Sequence, residues 1–412
     1  MHRPCHRLSR RPSTWAAGLC VLAALISTGC ANPAPVPRAA PAPQKVTESA
    51  RILLGEAQQA GAAIPKVPLA RDRAKMQQAV GEAWLSLGDA DQALTCARGI
   101  DGWRRAELLA QVARVRTDAG DAAGAAALLE EATAVVAGTD HWSHDRVAAD
   151  VAAVWMRLGK PDRAEAVLRP DSVPDRARFE NARTALMPAE ALDAQADAFD
   201  KAIATQAFDL ARGGLDGYLT LLARSADDAP RRERAMRALD AGIPGLPVDL
   251  QVKYLIDMAN VLVDIRQTSA ARSATDRARA IIRESTFLPE DVAPVGAPIA
   301  VALARQGEGT AARALLRELR SRYDASVARI DDFRRAQALR ALGEAWMALG
   351  DPSEAARSFV DAVDAGSLNP NARPRAEDLC MTCIAMVRCG FTPDDALLKR
   401  IGTIRAGLGD PW

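Results

Sequence analysis

The chain has few of the residues that build β-sheets. Of its 412 residues only 4% are aromatic, with three tyrosines and seven phenylalanines. Alanine, by contrast, is abundant. Because aromatic and β-branched side chains are enriched in strands and alanine is the strongest helix former, this composition predicts an all-α fold.

Motifs of several enzyme classes are also missing. The sequence contains no G-x-S-x-G, no P-loop, no G-x-G-x-x-G and no H-E-x-x-H segment. Carboxylates are numerous but scattered along polar helix faces, so no acid–base pair can be singled out. We therefore expect a protein that is not an enzyme and uses no cofactor.

The first 29 residues have the pattern of a segment that is removed from the mature protein. Four arginines precede an apolar run, Trp15 to Ile26, that is too short to span a bilayer. The run ends in ISTGC, which resembles a bacterial lipobox, with Ser27 in place of the usual leucine. The resemblance implies a signal peptide at 1–29 and acylation of Cys30, and several acyl chains give stable anchoring. The alternative is cleavage after Ala31, which would give a soluble periplasmic protein.

The next stretch predicts a spacer. Residues 30–46 contain five prolines, and proline-rich segments extend by about 3.1 Å per residue. Because residues 1–29 hold four arginines and no acidic residue, the remaining chain has 49 basic and 52 acidic side chains. A net charge near −3 argues against nucleic-acid binding. We expect the folded region, 47–412, to face the periplasm from the cell envelope, on the outer membrane in preference to the inner one.

One nine-residue segment occurs twice, as GEAWLSLGD at 81–89 and GEAWMALGD at 343–351, with seven identical positions. Alignment on its second glycine gives seven corresponding turn positions: Gly88, Gly120, Gly159, Arg266, Gly307, Gly350 and Gly390. The residue seven places before each turn is small: Gly81, Ala113, Ala152, Ala259, Ala300, Gly343 and Cys383. Five places after the turn, six of the seven copies have alanine: Ala93, Ala125, Ala164, Ala271, Ala312 and Ala355.

This spacing predicts a repeated helix–turn–helix unit. Small residues let two helices approach closely, and a glycine takes the left-handed conformation that ends a helix. Asp89, Asp121 and Asp351 follow their turns, where an aspartate caps the next helix.

The segment GEAWMALGDPSEAARSF, 343–359, resembles the tetratricopeptide repeat. The resemblance implies a right-handed α-solenoid with a concave groove. Clear units cover about 74–178 and 252–409, and 179–251 is irregular, with turns expected at Met187-Pro188 and at Gly213-Gly214. Residues 47–60 are expected to form a capping helix.

The segment CMTC, at 380–383, allows two interpretations. Cys383 occupies the small packing position and Cys389 aligns with Leu349, so both are expected to be buried as small apolar residues. Cys380 aligns with Arg340 and is expected to be exposed. The alternative is a redox or metal-binding envelope protein that uses Cys380, Cys383 and Cys389. We expect no metal site from the spacing of the histidines and cysteines.

Partners of this repeat family usually contact fixed positions of the first helix in each unit. Carried over to this chain, the resemblance implies contacts at Glu82, Leu85, Arg114, Met156, Arg340, Glu344 and Met347. Such a mixture of charged and apolar side chains suits an amphipathic helix or an extended segment. We therefore expect a membrane-tethered scaffold of the bacterial envelope that binds a protein or peptide in the groove. A purely structural spacer is a further alternative.

Overall fold

The computed structural model describes residues 46–138, 143–168, 173–205 and 207–412. In these ranges every regular element is helical. The even-numbered and the odd-numbered helices form two separate layers. The even-numbered helices pack side by side: α2 (Lys66–Ser86), α4 (Trp103–Asp118), α6 (Ser143–Arg157), α8 (Val173–Thr184), α10 (Phe208–Ala223), α12 (Val248–Asp264), α14 (Pro289–Arg305), α16 (Asp332–Ala348) and α18 (Ala372–Arg388). The odd-numbered helices connect them: α1 (Glu48–Ala63), α3 (Ala90–Arg98), α5 (Ala122–Ala137), α7 (Pro161–Val167), α9 (Leu192–Ala204), α11 (Ala229–Gly242), α13 (Thr268–Glu284), α15 (Gly309–Ser326), α17 (Pro352–Gly366) and α19 (Asp395–Ala406). The prediction of an all-α solenoid is confirmed.

The turns between paired helices have the predicted geometry. All seven turn residues named above have positive φ, between 61° and 84°. The residue after each turn donates its amide to the carbonyl five positions earlier, as Asp89 does to Trp84 over 3.0 Å. This hydrogen bond is the one that closes a helix end around a left-handed residue. The glycines therefore set where the first helix of each unit ends.

Side chains cap the helices that follow these turns. The carboxylates of Asp89, Asp121 and Asp351 accept the amide three residues ahead over 3.0, 2.8 and 3.3 Å. Because the first amides of a helix lack partners inside the helix, each aspartate stabilises its helix start, as predicted. Asp228 and Asp394 act in the same way and were not predicted.

The small positions bring helices into close contact. A Cβ atom on Gly81 would lie 2.3 Å from Leu108 Cδ2, and one on Gly343 would lie 2.9 Å from the ring of Phe359. The six alanines five places after the turns have 0% exposure. These positions serve the packing of the helices, as the repeat predicts.

The prediction for the irregular region is half correct. A turn does follow α8 at Met187-Pro188, but Gly213 and Gly214 lie inside α10. A Cβ atom on Gly214 would lie 2.8 Å from Ile203 of α9, so this glycine serves the close approach of two helices and not a turn. The chain turns later, between α10 and the cap residue Asp228.

The two ends of the array meet. α18 packs against α2, so the nine even-numbered helices form a closed ring in which each contacts the next. α1 packs along α18 in the position that α17 has beside α16. The first helix of the folded region is therefore the outer partner of the last inner helix, and not the free cap that the sequence suggested.

Contacts between helices distinguish the inside of the ring from the outside. Every neighbouring pair of even-numbered helices is packed together, whereas among the odd-numbered helices only α1 with α19 and α9 with α11 make more than marginal contact, and both contacts are small. Since the inner circumference of a ring is the shorter one, the packed even-numbered helices line the inside. Nine helices at 8–10 Å spacing, each about 10 Å thick, leave an opening of roughly 15 Å.

No helix in the described part of the chain is long and apolar enough to cross a membrane. The predicted signal peptide, Cys30 and most of the predicted linker lie outside the described residues.

Arg266 is the one turn residue of the seven that is not glycine, with φ of 61°. We expect Arg266→Gly to stabilise the protein by about 1 kcal/mol, because a side chain in this conformation is strained. Gly350→Ala is the matched opposite change, since a Cβ atom there would meet no atom within 4 Å and only conformational strain is added. Denaturant unfolding of both variants should shift in opposite directions, and equal shifts would contradict the assignment.

Candidate functional site on the inner surface

All seven side chains predicted to contact a partner lie on inner helices. Glu82 and Leu85 are on α2, Arg114 is on α4 and Met156 is on α6. Arg340, Glu344 and Met347 are on α16. Because the ring closes, α16 and α2 both flank α18. Residues from the two ends of the sequence therefore belong to one continuous inner surface.

Polar side chains connect α2 with α4. The Gln78 amide donates to Glu82 Oε1 over 2.9 Å, and Gln111 donates to the same oxygen over 3.2 Å. Arg104 Nη1 donates to Gln78 Oε1 over 2.6 Å. Glu82 is thus held by two amides in a short chain of hydrogen bonds, which positions its carboxylate on the inner surface.

A buried ion pair connects α16 with α18. Arg340 Nη1 lies 2.8 Å from Asp378 Oδ1, and the two side chains are only 13% and 8% exposed. Desolvation raises the pKa of Asp378, and the Arg340 charge and hydrogen bond oppose that rise. Removing one residue of a buried ion pair leaves an uncompensated charge. Arg340 therefore stabilises the contact between α16 and α18, in addition to any contact with a partner protein.

Glu344 lies one helical turn from Arg340 and is half-buried. Desolvation raises the pKa of its carboxyl, and the positive charges of Arg388 and Arg340 oppose the rise. No described residue donates a hydrogen bond to it. The Glu344 carboxyl group is therefore partly desolvated on the inner surface and accepts no hydrogen bond from the described residues.

Charged side chains also connect α18 with α2, the two helices that close the ring. Arg373 of α18 lies 3.5 Å from Asp72 of α2 and 3.6 Å from Glu377. Desolvation raises the pKa of Glu377, opposed by Lys75 and Arg373. We call the polar side chains on the inner surface of α16, α18, α2 and α4, together with the buried Asp378 that pairs with one of them, the polar belt: Arg340, Glu344, Glu377, Asp378, Arg388, Lys75, Gln78, Glu82, Arg104, Gln111 and Arg114.

The remaining predicted contacts differ in how accessible they are. Arg114 is exposed and forms no hydrogen bond or ion pair with the described residues. Leu85, Met156 and Met347 are half-buried and pack against the core. Arg114 is thus the predicted residue with the most freedom to bind a partner, and the three apolar residues present only part of their surface.

The expectation that Cys380 is exposed is wrong. Its side chain has 0% exposure, as does that of Cys383, because α18 is packed among α16, α17, α1 and α2. All three predicted redox cysteines are free thiols, and burial raises the pKa of Cys380 and of Cys389 to about 12. Thiolate is the reactive form, so these positions disfavour thiol chemistry. Among the described residues no group of three or more His, Cys, Asp or Glu is arranged to hold a metal ion.

Sequence reasoning missed the residues that complete the belt. Asp378 and Gln111 were not singled out, although Asp378 follows Arg340 by 38 residues, about one repeat length. Opposite charges separated by one repeat on inner helices would have indicated this pair. The same pattern recurs elsewhere in the ring, where Arg178 of α8 binds Asp150 of α6 over 2.9 Å.

Comparisons with known proteins add little to this site. No family model matches the chain, and no curated protein matches it. A solved structure described as a "circular tandem repeat protein with novel repeat topology and enhanced subunit contact surfaces" is 16% identical, covering 87% of this chain and 96% of its own, with a TM-score of 0.29. A likeness at this level carries no argument about shape or function.

The half-buried Glu344 generates a prediction about pH. Its pKa in the folded state is raised above that in the unfolded state, so its contribution is most favourable below the unfolded pKa and is lost as pH rises through the folded pKa. We expect Glu344→Gln to raise the thermal midpoint at neutral pH and to converge with the unmodified protein under acidic conditions. Thermal melts of both proteins across a pH series measure this. A constant difference at every pH would contradict the desolvation of Glu344.

Proposed function

We propose that this protein is a lipid-anchored scaffold of the bacterial cell envelope that binds a segment of a partner protein inside its closed ring. In this proposal the units are divergent tetratricopeptide repeats, the inner helices form the binding surface and the polar belt supplies the specific contacts. The observation that carries it is the belt itself, where charged side chains from both ends of the chain occupy one inner surface.

The chemistry of the belt favours a protein segment as the ligand. Both signs of charge alternate across it, and amide side chains such as Gln78 and Gln111 add donors and acceptors. Such a surface matches polar groups of a peptide better than a uniformly charged polymer. Arg114 offers an exposed guanidinium, which can bind a carboxylate in a bidentate manner.

The size of the opening limits the shape of the ligand. An α-helix with its side chains is 10–12 Å across and a ring of nine helices leaves roughly 15 Å. One helix or one extended segment fits, and a folded domain does not. Binding would therefore involve a terminus or a long loop of the partner.

The anchor is proposed from the sequence. An acylated Cys30 followed by a proline-rich spacer would hold the ring near the membrane and raise the local concentration of membrane-bound partners. The periplasm is the compartment that this arrangement implies, on the outer membrane in preference to the inner one.

A photo-crosslinking amino acid at position 114 tests the inner surface in living cells. We expect it to capture one protein repeatedly, and we expect Arg114→Glu to weaken co-purification of that protein about tenfold, because reversing a contact charge replaces attraction by repulsion. Arg317 on outer helix α15 is the matched control, since it is also an exposed arginine. Capture from position 317 and not from 114 would place the interaction on the outside of the ring and contradict the proposal.

The same cells test the anchor. Cys30→Ala should move the protein from the membrane fraction to the soluble fraction and abolish incorporation of a labelled fatty acid. Retention in the membrane with no incorporation of label would refute acylation at Cys30 and leave the inner-surface proposal to be judged by the crosslinks alone.

A further inference from the structure

Exposed apolar side chains are concentrated on one edge of the ring. Each odd-numbered helix returns the chain, so all even-numbered helices begin at the same edge, which we call the entry rim. Of the nine large hydrophobic side chains that are exposed in the described part of the chain, seven lie at or just before the start of an even-numbered helix: Val67, Phe208, Val248, Leu288, Val327, Phe333 and Leu368. The other two, Ile52 and Leu186, lie elsewhere.

The geometry of a helix start explains why such side chains point away from the core. Cα–Cβ bonds of a helix tilt toward its N-terminus, so side chains in the first turn project over the rim. Phe333, 51% exposed at the start of α16, and Phe208, 47% exposed at the start of α10, are examples. Single exposed apolar residues are common on soluble proteins, but the concentration of seven of the nine at one edge gives the rim the character of a contact surface.

Charge on the entry rim is divided into two arcs. The connections 63–71 and 366–375 are neighbours across the closure and contain Lys66, Arg71, Arg373 and Arg375 with no acidic residue. The connections 242–251 and 284–291 contain Asp249, Glu284, Glu290 and Asp291 with no basic residue. Lys66 pairs with Asp101 over 3.1 Å and Arg373 lies 3.5 Å from Asp72, so Arg71 and Arg375 supply the positive charge that no carboxylate of the described residues compensates. The rim therefore has a basic arc at α18 and α2, centred on these two arginines, and an acidic arc at α12 and α14.

The acidic arc is a real cluster and not only a feature of the sequence. Desolvation raises the pKa of Asp291, and the charges of Glu290 and Asp249 raise it further, while Arg334 lowers it. Carboxylates of two neighbouring connections thus lie close enough to repel one another, and a positive charge brought to this arc from outside would relieve that repulsion.

We propose that a second copy of this chain binds the entry rim, giving a face-to-face dimer of rings. A two-fold axis that passes through α16 and lies in the plane of the rim brings the basic arc of each copy onto the acidic arc of the other. With nine evenly spaced inner helices, it places α18 of one copy over α14 of the other, and α2 over α12. Each basic connection then meets an acidic one, and the symmetry repeats every contact twice.

The same axis brings apolar residues of the two copies into contact. Phe333 of the two copies meets on the axis, and Trp103 at the start of α4 lies over Phe208 at the start of α10. An anionic membrane would match the basic arc and repel the acidic arc, so a second ring is the better fit to the whole rim. α1 runs antiparallel to α2 and begins at the opposite rim.

Sedimentation velocity of the purified full chain tests the dimer. We expect a concentration-dependent species of twice the monomer mass, and we expect Leu288→Arg to weaken dimerisation about a hundredfold, because an apolar side chain is replaced by a positive charge that faces the partner's basic arc in both copies. Leu186→Arg is the matched control, since Leu186 is 42% exposed but lies away from the entry rim. It should leave the dimer unchanged.

A charge exchange tests the orientation of the two copies. Arg71 and Asp249 are both exposed, and the two-fold axis places them near each other. Arg71→Glu or Asp249→Arg alone should weaken the dimer about tenfold, because each reversal acts at two symmetric contacts, and the double variant should restore it. A monomer at all concentrations, a dimer insensitive to Leu288→Arg, or binding of a monomer to anionic vesicles through this rim would overturn the proposal.

Discussion

The structure depends on the packing of α1 against α18. Leu53, Leu54 and Ala57 of α1 have 0% exposure, and burying each leucine contributes about 1.5–3 kcal/mol. Glu56 of α1 pairs with Arg405 of α19, and Arg373 of α18 lies near Asp72 of α2. These contacts join residues that are more than 300 positions apart, and without them the array would be an open solenoid with two exposed ends. In an open array each unit is stabilised only by its neighbours, whereas here the last inner helix has an outer partner like the others.

Closure changes what the inner helices can do. In an open array Glu82 and Glu344 would lie at opposite ends of a long groove. In the ring, α18 alone separates their helices, and the polar belt is continuous from α16 through α18 and α2 to α4. A ligand can then contact both ends of the chain at once, and binding it would oppose opening of the ring. Closure also creates two distinct rims, which an open superhelix does not have.

Much of the fold could be predicted because it follows from local chemistry. Turn glycines such as Gly88, cap residues such as Asp89 and small packing positions such as Gly81 act within one unit, so their spacing in the sequence is sufficient. Gly213 and Gly214 were misassigned because glycine serves both turns and close helix contacts, and the sequence alone does not distinguish the two. The pairing of Arg340 with Asp378 joins consecutive inner helices, so a comparison of charges one repeat apart would have found it. The burial of Cys380 depends on which helices surround α18. That information is set by closure, which no short stretch of sequence encodes.

The distance between the two ends tests the closed ring most directly. Spin labels at Gln59 of α1 and Thr403 of α19, both exposed, should give one short and narrow distance distribution by pulsed electron paramagnetic resonance, since α1 and α19 are in contact. A broad distribution centred at a distance comparable with the length of an open array would contradict the closed ring, and with it the continuous polar belt.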